Sequence, residues 1–190
     1  MKPLRTILLT LALMTVCSAL GCRTTPPVDV PDDPAVAAVT ASPDLSWTIG
    51  IVESADGPPA VSAVLRELRE GRHAGFDRMV FEFENGVIPA YQVEYVDRPV
   101  RRCTDGESVS LPGDGYLRIR MEPARAHTAA GTPTIHRGER KYRLPVLQQA
   151  EMICDAEETL EWVLATAVPN GYRVIELSDP ARLVIDIRHH

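Results

Sequence analysis

Apolar and polar residues alternate one by one along several stretches of this 190-residue chain. The alternation is clearest in four stretches: 79–83, 91–95, 117–121 and 183–187. A period of two places apolar side chains on one face of an extended strand, so each stretch predicts a β-strand with one buried face. Turn-forming pairs such as Asn85-Gly86 separate them. Many short strands without regular strand–helix alternation predict an all-β fold, a sandwich or barrel of mostly antiparallel strands.

Two segments fit either type of secondary structure. Apolar residues between 61 and 68 are spaced as on one face of a helix, and residues 156–167 are rich in helix formers. Intrinsic propensity is weak against tertiary packing, so either segment could be a strand in a sheet-rich fold.

The first 22 residues have the features of an export signal. Lys2 and Arg5 give a basic start, and an apolar run covers residues 7–20. This run is shorter than the ~20 residues that span a bilayer, but it fits a cleaved signal peptide. Residues 19–22 resemble the lipobox, where a peptidase cuts before a cysteine that carries a diacylglyceryl group. We expect a signal peptide over 1–21 and a lipid anchor with acyl chains such as palmitate on Cys22; an ordinary cleaved signal is the alternative.

Residues 22–44 are expected to form a disordered linker. Five prolines lie there among small and polar residues: Pro26, Pro27, Pro31, Pro34 and Pro43. Such a segment buries too little apolar surface to offset its ordering entropy. It would act as an extended tether for a single domain over residues 45–190.

The formal net charge of the chain is −6. An acidic chain argues against a nucleic-acid partner, since that affinity comes from cations on phosphates. It also argues against attachment to anionic lipid by charge alone, so we assign membrane attachment to the lipid on Cys22. We expect a location in the cell envelope, facing the periplasm or the exterior. Arg23 replaces the Asp that commonly retains lipoproteins at the inner membrane, which favours the outer membrane if the cell has two.

The four cysteines divide by position. Cys17 lies in the signal and Cys22 at its end, which leaves Cys103 and Cys154. In an oxidising compartment these two are expected to form a structural disulfide. Two free buried thiols are the alternative.

Several segments resemble the AMIN-like domain of secreted and lipid-anchored bacterial proteins. They are residues 71–83, 91–96, 126–134 and 172–187, and the resemblance covers about 61–188. It implies a compact β-sandwich without catalytic machinery. It also implies strands at 61–70 and 158–167. AMIN domains are envelope modules beside peptidoglycan amidases and secretins, so the resemblance implies binding to cell-wall polymer or to a partner protein.

No residue pattern predicts a metal, a cofactor or a catalytic nucleophile. His73, Asp77, His127 and His136 lack the spacing of a zinc motif, and we expect no metal site. Asp77-Arg78 and Asp186-Arg188 are expected to form cross-strand ion pairs. The alternative for Asp77 is that it holds the preceding loop at 71–75 through bonds to backbone amides. Trp162 is expected in the core. Trp47 is expected to be an exposed contact or a lid on the sandwich.

A group of basic residues is expected around one predicted hairpin and its following loop: Arg118, Arg120, Arg137, Arg140, Lys141 and Arg143. Arg118, Arg120, Arg140 and Lys141 are the candidate binding residues, which would meet peptidoglycan carboxylates or an acidic partner. The alternative is a solvated face neutralised by neighbours such as Glu122 and Glu139.

The sequence therefore predicts a non-catalytic, lipid-anchored envelope module that binds peptidoglycan or an envelope protein. One alternative is an enzyme acting on envelope glycan or lipid through an unrecognised carboxylate pair. Another is a carrier with a hydrophobic cavity between its sheets.

Overall fold

The computed structural model describes residues 46–136 and 138–189. The predicted signal peptide, Cys22 and the predicted linker lie outside the described residues, as do Arg137 and His190. None of the described elements is a helix long and apolar enough to cross a membrane.

The regular elements of the described residues are eleven strands and one 3₁₀ turn at Glu84–Gly86. The strands are β1 (Val52–Glu53), β2 (Ala63–His73), β3 (Phe76–Phe83), β4 (Ala90–Tyr95), β5 (Gly115–Glu122), β6 (Ala124–Arg125), β7 (Glu139–Lys141), β8 (Leu147–Ala156), β9 (Thr159–Thr166), β10 (Tyr172–Ser178) and β11 (Ala181–Arg188).

The strands form two sheets. One has six strands in the order β1-β4-β5-β9-β8-β7, and the other has five in the order β10-β11-β3-β2-β6. Every pair is antiparallel except β2 with β6. The two sheets pack face to face, and the predicted all-β sandwich is confirmed.

The core lies between the inner faces of the two sheets. Trp162 on β9 is fully buried, as expected, and meets Phe81 of the other sheet edge-on at 6.2 Å between ring centroids. Tyr172 is also fully buried, and its hydroxyl donates toward the Val93 carbonyl at 2.7 Å. Aromatic rings of this size bury the largest apolar areas in a domain, so these contacts hold the sheets together.

The two ambiguous segments are strands, as the resemblance implied. In β2 a β-bulge between Leu65 and Glu67 inserts a residue into the pairing with β3. The bulge brings Leu65 and Leu68 to the same buried side, which produces the helix-like spacing. In β9 the side chains of both faces are buried, so its residues do not alternate.

A second, smaller core explains the burial of β9 on its outer face. Val163 of β9 and Tyr116 of β5 are buried there with Val100, and partly buried Val109 packs against them. A disulfide joins Cys103 to Cys154 of β8, with the Cα atoms 5.2 Å apart. The predicted disulfide is therefore present, and it fixes the segment 96–111 on the outer face of the six-stranded sheet.

Candidate functional site

Arg118 and Arg120 lie on β5, which is a central strand of the six-stranded sheet. Arg118 pairs with Glu94 on the neighbouring strand β4. Arg120 lies 3.0 Å from Glu122 and 3.4 Å from Glu161. Both guanidinium charges therefore have carboxylate partners within the sheet, as in the solvated-face alternative.

Arg140 and Lys141 lie on β7, an edge strand of the same sheet. Strands β9 and β8 stand between β5 and β7, so the four candidate residues do not form one surface. The expected single hairpin is wrong because β5 pairs with β4 and β9, and β7 pairs with β8.

A groove of about 720 Å³ opens between β7 and β2, where the edges of the two sheets approach each other. We call it the β7 groove. Its lining residues are Arg66, Glu67, Thr134, Ile135, His136, Glu139, Arg140 and Lys141. The Thr134 hydroxyl donates to the Leu65 carbonyl at 2.5 Å, and Arg140 Nη1 donates to the Leu68 carbonyl at 2.7 Å. These two bonds attach the walls of the groove to β2.

The cations of the β7 groove differ in their partners. Arg66 lies 3.4 Å from Glu82, and Lys141 lies 2.9 Å from Glu139. Arg140 has a carbonyl partner but no ion pair among the described residues. A guanidinium has five donors, so Arg140 can bind an anion while keeping its bond to β2.

Tyr142 lies two residues after Arg140, and its partly buried side chain packs against the core. Burial raises the pKa of its phenol above the ordinary value, and the negative charge of Glu70 raises it further, while Arg140 opposes them. The phenol therefore stays neutral at physiological pH, and Tyr142 adds no negative charge beside Arg140.

Asp77 has a different position from the one expected. It is the second residue of β3, fully buried, and accepts hydrogen bonds from the amides of Val146 and Leu147 at 2.7 and 3.0 Å. His189 Nε2 lies 2.8 Å from its other oxygen. The expectation that Asp77 holds the loop at 71–75 is wrong, because the strand begins one residue before Asp77 and turns its side chain inward.

Asp186 forms the expected cross-strand pairs. Arg78 contacts both of its oxygens, at 2.6 and 2.9 Å, and Arg173 donates from Nε at 2.9 Å. The hydrogen bond to Asp186 raises the pKa of Arg78, against the lowering effect of burial. Both oxygens of this carboxylate are therefore occupied by guanidinium groups, as in a structural ion pair of the sheet.

The four residues considered for a metal lie in separate places. His73 stacks on Phe76 at 4.7 Å between ring centroids, and His127 Nδ1 lies 3.0 Å from Asp155. His136 lies in the β7 groove. Within 46–136 and 138–189, no three His, Cys, Asp or Glu side chains are grouped so that they could hold a metal ion.

The outer face of the five-stranded sheet carries a set of arginines that the sequence did not reveal. The strand registers and the ion pairs with Glu82 place six there: Arg66, Arg69, Arg78, Arg173, Arg182 and Arg188. We call this surface the basic face. Trp47 lies on it, with Arg173 over its ring at 4.6 Å and Phe76 at 6.1 Å between ring centroids. Alternation predicted polar outer positions, but only the strand order brings these arginines together.

Comparison with known protein families shows which family the domain resembles. The model of the AMIN-like domain matches residues 63–189, which include both the β7 groove and most of the basic face. No curated protein and no solved structure shows significant similarity to the chain.

Proposed function

The chain belongs to the AMIN-like domain family, and from that premise we propose a non-catalytic module that binds cell-wall peptidoglycan through its β7 groove. Membership of the family favours the cell envelope as the place of action and association with peptidoglycan as the activity. The lipid on Cys22 and the linker over 22–44 remain part of this proposal, as tether and spacer. An envelope protein with an acidic surface would fit the same chemistry.

The arrangement of charges in the β7 groove supports an anionic ligand. Arg140 carries the proposal, because it lines the groove and has no ion pair among the described residues. Lys141 beside it has a side chain that is 74% exposed, and it can exchange Glu139 for a ligand at little cost. Peptide carboxylates of peptidoglycan are groups that a guanidinium binds in a bidentate manner. Arg118 and Arg120 lie outside the groove and already have carboxylate partners, so the proposed binding site does not include them.

The enzyme alternative would need a general acid in the groove. Glu67 and Glu139 line it, but their side chains are 43% and 52% exposed and pair with Arg69 and Lys141. A general acid at neutral pH needs a raised pKa, which burial usually supplies. Incubation with purified sacculi is therefore expected to release no soluble sugar fragments. Release by the wild type, abolished in Glu67→Gln or Glu139→Gln, would instead favour an enzyme.

The carrier alternative would need space between the sheets. That space is occupied by packed side chains such as Leu117, Met121 and Leu164, all fully buried. The packed interior favours binding at the surface.

Co-sedimentation with sacculi tests the proposal. Arg140→Gln with Lys141→Gln is expected to lower retention about thirtyfold, since each of the two lost charge contacts removes about 1 kcal/mol. Arg118→Gln with Arg120→Gln is the matched control, with the same change in charge on the same sheet, and should be retained like the wild type. Equal retention of the wild type and the β7 variant would refute the groove as the binding site.

A further inference from the structure

The basic face carries an excess of positive charge on an acidic protein. Its outer positions hold the six arginines named above and three carboxylates: Glu67, Glu82 and Asp186. Asp186 is shared by Arg78 and Arg173, and Glu82 by Arg66 and Arg69. The chain as a whole has a formal net charge of −6, so this surface differs in sign from the rest of the molecule.

Two arginines of the basic face have no carboxylate partner among the described residues. Arg182 donates to the carbonyls of Pro180 and Asp179. Arg188 is exposed and lies over the ring of Trp47, at 6.0 Å. Both can therefore meet an external anion without giving up an ion pair.

The opposite face of the sandwich has the opposite charge. Strand registers place Arg118, Arg120 and Lys141 on the outer side of the six-stranded sheet, together with more acids: Glu53, Glu94, Glu122, Glu139, Glu151 and Glu161. The segment 96–111 that covers this face adds three arginines and three acids, so the excess of acids remains. A negatively charged surface would attract one face and repel the other, which orients the domain.

Large apolar side chains are exposed close to Trp47. Ile49 is 70% exposed and Ile51 is 61% exposed. Thr48 pairs with Tyr172 at the start of β10, and Val52 begins β1 of the six-stranded sheet, so residues 49–51 cross from the β10 edge of one sheet to the β1 edge of the other. Exposed isoleucines beside tryptophan and arginine are typical of surfaces that enter the headgroup region of a bilayer.

The position of the chain favours a membrane over the wall polymer as the ligand of this face. Ser46, the first described residue, immediately precedes Trp47, so the preceding chain joins the domain beside the basic face. Under the proposed function, on which this step rests, that chain carries a lipid at Cys22. A tether raises the effective concentration of the domain at the bilayer surface, so a weak charge attraction is enough for contact.

We propose that the basic face, with Ile49 and Ile51, binds the anionic headgroups of a phospholipid bilayer. The lipid on Cys22 and this face are then two signals that act together. The β7 groove opens at the β2 edge of the basic face and shares Arg66 and Glu67 with it. Arg182, Arg188, Ile49 and Ile51 lie outside the groove, so the two sites can be tested separately.

Vesicle sedimentation tests the proposal with protein that lacks the lipid. The chain from residue 22 with Cys22→Ser contains every described residue, and it is mixed with vesicles of phosphatidylcholine with or without phosphatidylglycerol. We expect binding that needs phosphatidylglycerol and weakens as salt is raised. Arg182→Gln with Arg188→Gln should lower binding about tenfold or more, and Ile49→Ser with Ile51→Ser should also lower it. Near-UV circular dichroism checks that each variant is folded.

The controls separate this proposal from the proposed function. Arg118→Gln with Arg120→Gln makes the same change in charge on the opposite face and should bind vesicles at least as well as the wild type. Equal binding to both kinds of vesicle, or no effect of the Arg182 and Arg188 changes, would refute the membrane contact. If the Arg182 and Arg188 double variant no longer sedimented with sacculi, the basic face would be assigned to the wall polymer. That result would also refute the membrane contact. If neither the wild type nor any variant binds sacculi, the proposed function is refuted. The vesicle experiment would still decide whether the basic face binds a membrane.

Discussion

At the scale of single residues, buried polar groups of the sandwich have specific partners far away in the sequence. Asp77 accepts from Val146 and Leu147, which are 69 and 70 positions away, and pairs with His189, which is 112 away. It therefore connects β3 with the start of β8 and with the end of β11. A buried carboxylate with three donors is stabilising only while all of them are in place.

Asp77→Ala is expected to lower the free energy of unfolding by about 3 kcal/mol or more, because two buried amides lose their acceptor. Asp77→Asn should recover a large part of this loss, since its amide oxygen can still accept from both amides. Urea unfolding measures both changes. Asp56→Ala, at an exposed position, is the control and should change little; an equal loss in this control would argue against a specific role for Asp77.

The sequence pattern located the strand that contains Asp77, but it did not reveal the role of the Asp77 side chain. A polar residue at the start of a strand ordinarily caps the neighbouring turn, which led to the wrong expectation for the loop at 71–75. Its true partners depend on how β3, β8 and β11 meet in space, and no local pattern records that. The same holds for the pairing of Arg78 and Arg173 on Asp186: pairing was predictable from the alternation, but the shared partner was not.

At the scale of elements, strands with one buried face were predictable and the exceptions have physical causes. The stretches at 79–83, 117–121 and 183–187 lie within β3, β5 and β11. The bulge in β2 disturbs the period of two, and β9 loses it because the segment 96–111 covers its outer face. A single sequence records neither the bulge nor the covering segment, so the pattern of both segments fitted a helix as well as a strand.

The covering segment depends on the disulfide. Cys103 and Cys154 are 51 positions apart, and closing a loop of this length stabilises the folded state by about 4 kcal/mol on the chain-entropy model. Cys103→Ser with Cys154→Ser is expected to lower the free energy of unfolding by up to that amount. Amides of the segment, such as Val109, which donates to the Val100 carbonyl, should also exchange faster with solvent. A reductant should destabilise the wild type and leave the double variant unchanged; an equal effect on both would show that the bond is not responsible.

The turn between the covering segment and β5 has its own requirement. Gly113 has φ of +70°, and a Cβ there would lie 2.0 Å from the Thr166 carbonyl oxygen. Gly113→Ala should therefore destabilise the domain by more than the ordinary ~1 kcal/mol for a left-handed glycine, because backbone of β9 blocks the methyl group. Gly106→Ala is the matched control, since Gly106 also has φ of +70° but a methyl carbon there would meet no atom within 4 Å. Thermal unfolding should separate the two; equal losses would mean that the contact with Thr166 is not limiting.

At the scale of the whole molecule, charge is divided between the two faces and the groove at the sheet edge. The arginines of the basic face lie on β2 and β3, early in the domain sequence, and on β10 and β11, at its end. They share one surface because the strand order places these four strands in one sheet. The basic candidates read from the sequence were separated by the same topology, because β9 and β8 stand between β5 and β7. Composition gave the correct total charge, and only the fold gave its distribution.

Under the proposed function, the division of charge would make Cys22 the decisive residue for attachment to a membrane. The six-stranded face is acidic and the basic face offers a weak contact, so stable residence at a membrane requires the covalent lipid. In a bacterial host with lipoprotein processing, we expect the mature chain to begin at Cys22, to carry a diacylglyceryl group by mass spectrometry, and to partition into detergent. Cys22→Ser should give a chain that is not acylated and partitions into water, whereas Cys17→Ser, within the signal, should be processed like the wild type. A mature chain that begins elsewhere, or an unmodified Cys22, would leave the basic face without its tether, and the protein would then be expected to leave the membrane as salt is raised.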